Sequence, residues 1–251
     1  MKRTVAVLLI LCLLLPAAGV NAEDVHFALR SRDVGACKKL LGDVMILVVF
    51  VNTPQHPWTD AQRDAVYRVS YSSLDYIKKD AKKYRADLRP TLGFLEFTVS
   101  TEYNKDLSWY WEIIHNVYGE NSIVQVYDRY RKDLNVDEAP IIFMFNSWDL
   151  SHTYTSYVDY PGWDEEFCVI FCDTKMHNNY LTHELYHQFG AIDLYDYNNE
   201  GVARQAQKYF GKTTMGCTGN AMDDLNAYLM GWTDTLSANA IKFLKATEGL
   251  R

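Results

Sequence analysis

Eight consecutive apolar residues, Val44 to Val51 (VMILVVFV), constrain this fold more than any other segment. The run is rich in β-branched residues and shows no polar alternation. It therefore reads as a strand buried on both faces, which needs packed layers on either side. The flanking segments supply them. Thr59 reads as an N-cap, with Asp60 and Gln62 in the first turn of a helix that runs to about Leu88. Val66, Val69, Leu74, Ile77 and Tyr84 mark its face, and Pro90 is expected to end it. Leu92 to Val99 reads as a second strand. Asp106 to about Leu134 reads as helical and split by Gly119, with Trp109, Ile113, Ile114 and Val117 assigned to core packing. Ile141 to Phe145 is a short apolar strand, and His152 to Val158 (HTYTSYV) alternates like a half-exposed edge strand. Glu166 to Phe171 reads as a further strand. A helix is expected from near Lys175 to Gly190, followed by helical stretches at Asp223 to Met230 and Ser237 to Thr247. This order predicts an α+β fold: a mixed twisted sheet with packed helices, then a more irregular C-terminal part.

The first residues bear on compartment. Lys2 and Arg3 precede an apolar run from Val5 to Leu15, and small residues follow at Ala18, Gly19, Val20 and Ala22. That pattern is a signal peptide, with cleavage expected after Ala22. The run is too short for a bilayer span, which takes about 20 residues. The expectation is a secreted chain, extracellular or periplasmic, with residues 23 to 251 forming one domain. Its upper part would end near residue 190 and its lower part would cover 191 to 251. The formal charge is −7, and becomes −9 without Lys2 and Arg3, because residues 1 to 22 hold no acid. Bulk charge therefore argues against nucleic acid and anionic membrane as partners. Four cysteines remain after residue 22: Cys37, Cys168, Cys172 and Cys217. Cys168 and Cys172, four apart on one strand, would sit roughly 13 Å apart, too far for a bridge. Cys172 with Cys217 is one pairing that an oxidising compartment would allow.

The segment from Tyr180 to Tyr197 reads YLTHELYHQFGAIDLYDY. On a helix, His183 and His187 lie on one face and can reach one metal ion. Neutral imidazole is a good zinc ligand. Glu184, beside the first ligand, can act as general base toward a water that zinc acidifies. Gly190 can end the helix in a left-handed conformation and turn the chain back. Asp193 would then become the third ligand, completing a catalytic set of three protein ligands. Asp196 and Glu200 are the alternatives for that position. The plain alternative is a helix carrying two histidines by accident. The acids Asp193, Asp196, Asp223 and Asp224 could include a calcium site, although their spacing fits no EF-hand loop.

The string HExxHxxGxxD resembles the elongated zinc signature of the metzincin clan, in the version with aspartate third. The run from His183 to Asp196 is similar to secreted bacterial peptidases of the immune inhibitor A type. The later TTMGCTG and AMDDLNAYLMGW also resemble the methionine segment and following helix of such proteins. The likeness spans about Phe167 to Trp232. It implies a zincin or metzincin fold and a zinc metalloendopeptidase, a hydrolase acting on peptide bonds. It also implies a methionine turn beneath the metal, at Met215 or else Met222. The edge strand at His152 to Val158 would bind a protein or peptide substrate by strand addition. Two other functions compete. One is a zinc hydrolase of narrow specificity, acting on small peptides or cell-wall amides. The other is a non-catalytic binding module on a protease scaffold. Residues 23 to 43 are too few for a folded propeptide but could hold a short inhibitory segment, with Cys37 as a zinc-blocking thiolate. Tyr195 and Tyr228 stand equally as transition-state or packing residues, and oligomeric state is not legible.

Overall fold

The computed structural model describes residue 29 and residues 32–147, 151–154, 165–172, 178–195, 200–216, 219 and 221–248. The signal-peptide assignment and Asp196 fall outside these residues. So do 155–158 of the expected edge strand. The architecture is α+β. One mixed five-stranded sheet is formed by β1 (Gly42–Asn52), β2 (Leu88–Thr98), β3 (Ile141–Phe145), β4 (His152–Tyr154) and β5 (Phe167–Phe171). Their order is β2-β1-β3-β5-β4. β1, β2, β3 and β5 are parallel, and β4 alone runs antiparallel, against β5.

The apolar run became the inner strand β1. Ile46 to Val51 are all buried, as are all five residues of β3 and of β5. Continuous apolar strands of this kind belong in a parallel sheet covered on both faces. The first helix, α1 (Asp60–Tyr84), begins at the Thr59 cap with a reciprocal Thr59–Gln62 capping box. It ends earlier than the position of Pro90 suggests. Arg85 takes the left-handed conformation (φ 57°) and closes the helix, so β2 already begins at Leu88 and contains Pro90. β2 is an edge strand, where a proline lacking N–H is tolerated.

Gly119 separates two helical pieces as expected, with φ 71°. The first is α2 (Ser108–Glu112), which widens into a π-helical turn at Ile113–Tyr118. The second is α3 (Ile123–Leu134), capped by Ser122. The helix that carries the histidines is α4 (Asn178–Gln188), packed against α1, β4 and β5. Leu181, Leu185, Tyr186 and Gln188 are all buried on it, as is Phe189 just past its end. A helix enclosed on most sides has no strong apolar stripe, and its sequence shows none.

The C-terminal part is more regular than expected. It holds α5 (Glu200–Phe210), a 3₁₀ turn at Thr214–Gly216, α6 (Asp224–Leu229) and α7 (Ala238–Thr247). Sequence reading passed over α5. Val202 and Ala206 nonetheless stand at helical spacing on its buried face, and it packs on α7. The segment 32–41 is also built into the body of the molecule. Ala36, Cys37 and Leu40 are buried. The Glu166 carboxylate accepts from the backbone N–H groups of Ala36 (2.6 Å) and Cys37 (2.8 Å). Leu40 exchanges hydrogen bonds with Met230 and the Trp232 indole, and Arg32 lies over the Tyr228 ring. This strap ties the sheet to the lower part. No helix among the described residues is long and apolar enough to cross a membrane.

Candidate metal centre

Two adjacent stripes of α4 carry the polar groups. His183 and His187 form one (i, i+4) pair and face the lower part of the molecule. Glu184 and Gln188 form the next pair and face the sheet. Gly190 makes this arrangement reachable. Its φ of +85° lies in the left-handed region, which glycine enters without strain. Gly190 donates to His187 O (3.0 Å) and Ala191 to Tyr186 O (3.2 Å), the paired bonds of a Schellman motif. No atom lies nearer than 3.8 Å to where a side-chain β-carbon would stand, so conformation rather than space demands glycine here.

The turn brings Asp193 back beneath the two imidazoles. His183 Nε2 and His187 Nε2 are 3.2 Å apart. Asp193 Oδ1 lies 3.1 Å from the first and 3.3 Å from the second. Among the described residues these three form the one group of metal-ligating side chains close enough to share an ion. Each imidazole has its other nitrogen on a backbone carbonyl. His183 Nδ1 sits 3.2 Å from Thr214 O, and His187 Nδ1 2.7 Å from Ala191 O. Carbonyls only accept, so both Nδ1 atoms carry protons, and each Nε2 presents a lone pair toward Asp193 once its ring is neutral. Oδ1 is buried and has no hydrogen-bond donor of the ordinary kind. Three acceptors converging at this separation require a cation or a proton between them. Ligand atoms at about 2.05 Å from a tetrahedral ion stand roughly 3.3 Å apart, so the triangle fits a metal without rearrangement. Two nitrogens and one carboxylate suit a transition ion rather than calcium or magnesium, which prefer oxygen sets.

The electrostatics match. Burial opposes charge on His187, but the Asp193 carboxylate outweighs it and lifts the imidazole to about 9. Burial would raise Asp193 too, yet His187 and His183 hold its carboxyl well below the usual range. Without a metal, the cluster keeps a proton.

The loop that carries Asp193 is pinned on both sides. Asn226 uses its side-chain amide as a strand would, accepting from Ile192 N (2.7 Å) and donating to Ile192 O (3.1 Å). Leu194 N donates to Met215 O (2.8 Å). Asn226 is fully buried and held in turn by Asp223, the N-cap of α6, which also accepts from Thr213. Sequence reading missed Asn226, because a lone asparagine in a helix gives no sign of pairing with a loop 34 residues earlier.

Met215 is buried in the 3₁₀ turn whose neighbour Thr214 contacts His183, whereas the Met222 carbonyl accepts from Lys83 and Tyr84 of α1. The Tyr195 ring lies 5.9 Å from that of His183, while Tyr228 packs under Arg32. Asp223 and Asp224 are engaged by protein donors. Cys37 is not at the metal cluster. Its thiol faces Gln188, and burial, reinforced by Glu166 and Glu138, pushes it up into the protonated form. The zinc-blocking role is thereby corrected. Neither Cys37 nor Cys168 forms a disulfide; a Cys172–Cys217 pairing concerns a residue outside the described set.

Glu184 is buried, and its carboxylate lies 2.8 Å from the Thr153 hydroxyl of β4. Compared with known protein families and with curated proteins, the chain matches none.

Proposed function

We propose that the chain is a zinc-dependent endopeptidase of metzincin-like build, acting outside the cytoplasm. The observation that carries this reading is the juxtaposition on α4. Three converging ligand atoms within 3.3 Å of one another lie beside a carboxylate one residue along the helix. His183, His187 and Asp193 would hold the ion. Zinc bound there supplies Lewis acidity, that is, an acidified water and a polarised carbonyl. Glu184, next to His183 on the same helix, would take the proton from the attacking water and return it to the leaving amine. Its burial keeps bulk water from competing for that proton. Met215 and Gly190 support the floor of the site.

The strand order supports a peptide as substrate. β4 stands at the sheet edge, directly above α4, and its one described partner is β5. An extended peptide can add to such an edge through main-chain hydrogen bonds. A purely structural zinc site would call for a fourth protein ligand and has no use for Glu184. The test is Glu184→Gln. Zinc content should equal that of the wild type while hydrolysis of unfolded casein falls at least 100-fold, in line with loss of a general base. Undiminished hydrolysis in this variant would defeat the mechanism.

A further inference from the structure

Thr153 sits in β4 opposite Cys168 of β5 and points toward α4. Its hydroxyl oxygen is 2.8 Å from Glu184 Oε2, 2.8 Å from the Glu184 carbonyl and 3.4 Å from Cys168 Sγ. A hydroxyl has one hydrogen to give. The helical N–H four residues on already serves the carbonyl, and a carboxylate is the strongest acceptor present. The Thr153 proton therefore belongs on Oε2.

The neighbouring groups agree on direction. Gln188 is fully buried and spends both amide hydrogens, on Ile141 O (2.7 Å) and on Cys168 Sγ (2.9 Å). The Cys168 S–H is then left for Thr153 Oγ1. Burial, with the Glu184 charge as a second cause, keeps that thiol protonated and able to donate. At the far end the Cys37 thiol contacts Gln188 Oε1 at 3.8 Å. Donation thus runs one way: Cys37 to Gln188, to Cys168, to Thr153, to Glu184. Cys37, Gln188 and Cys168 are each 1% exposed or less, so water cannot substitute in those links.

We propose that Thr153 is a positioning residue that aims the Glu184 carboxylate, with Gln188 and Cys168 holding Thr153 in turn. The assignment deepens the hydrolytic reading and rests on it. It also gives β4 two jobs: its inward side chain sets the base, while strand addition at β4, the edge strand among the described residues, would hold substrate.

The test compares Thr153→Val, nearly isosteric but without a hydroxyl, with Thr153→Ser. In zinc-loaded protein of equal metal content, Thr153→Val should lower kcat about 10- to 100-fold with KM changed less than about twofold, the scale of a misaimed catalytic group. Thr153→Ser should recover kcat to within about threefold of wild type. A second readout needs no catalysis. Zinc-free protein carrying ¹³C at the glutamate carboxyl carbons gives a Glu184 resonance, assigned by its loss in Glu184→Gln. At fixed pH it should shift or split in Thr153→Val and return in Thr153→Ser. An unmoved resonance overturns the proposal. So does a change in KM alone, or a serine variant no better than valine. If wild-type protein hydrolyses no peptide, the hydrolytic reading fails, and the resonance still decides whether Thr153 positions Glu184.

Discussion

Replacing Asp193 by Asn should remove a pH dependence of stability that the wild-type chain shows without metal. In the folded metal-free protein His187 titrates at about 9, against 6.5 for a free imidazole. The group is thus raised on folding, by two to three pH units. At about 1.4 kcal/mol per unit, the His187–Asp193 pair contributes about 3 kcal/mol where it is fully formed. The sign follows from the raised value. The stabilisation is complete below pH 6.5 and is lost as pH climbs through 9. For a chain of this size 1 kcal/mol moves Tm by roughly 2–4 °C. Wild-type protein treated with chelator should therefore melt roughly 6–12 °C lower at pH 9.5 than at pH 6. Asp193→Asn keeps the shape but removes the charge. Burial then pulls His187 downward against only the weaker upward pull of Glu184 and the Ala191 carbonyl, so most of this slope disappears. Zinc loading should abolish it in the wild type as well, because the ion binds only unprotonated imidazoles. The assay is a thermal melt followed by circular dichroism at half-unit pH steps, with both proteins measured side by side. Equal pH slopes in wild type and Asp193→Asn would refute the pairing and the lone-pair assignment behind it.

Asn226→Ala should weaken zinc binding about 10- to 100-fold, measured by competition with a chromogenic chelator, because the loop holding Asp193 loses its clamp on both polar groups of Ile192. Unchanged affinity would show that the loop holds itself. Glu166→Ala should cost about 2–4 kcal/mol in urea unfolding, since two backbone N–H groups of the strap lose their acceptor; a loss below about 1 kcal/mol would mean that the strap is not structural.

The parts of the site carried by local spacing were legible in the sequence. An (i, i+4) histidine pair, a glycine three residues on and an acid three further describe one helix and one turn. The chain brings the two histidines and the acid to within 3.3 Å of one another. The apolar runs also announced β1, β3 and β5, because a strand buried on both faces leaves no polar positions. What was not legible depends on contacts distant in sequence. Thr153 meets Glu184 across 31 residues, and Asn226 meets Ile192 across 34. Neither residue type signals such a role by itself. The strap at 32–41 was hidden for the same reason, since its anchor is Glu166, about 130 residues away. Pro90 misled because a proline stops a helix but is equally at home on an edge strand. α5 was overlooked because its short buried stripe follows directly on the metal motif, where irregular chain was expected.

The most direct measurement is zinc content together with chelator-sensitive proteolysis, on purified protein lacking residues 1–22. One zinc per chain is predicted, with casein cleavage that stops on chelation and returns when zinc is restored. Absence of bound zinc at neutral pH, with zinc in excess, would contradict the proposed centre at His183, His187 and Asp193.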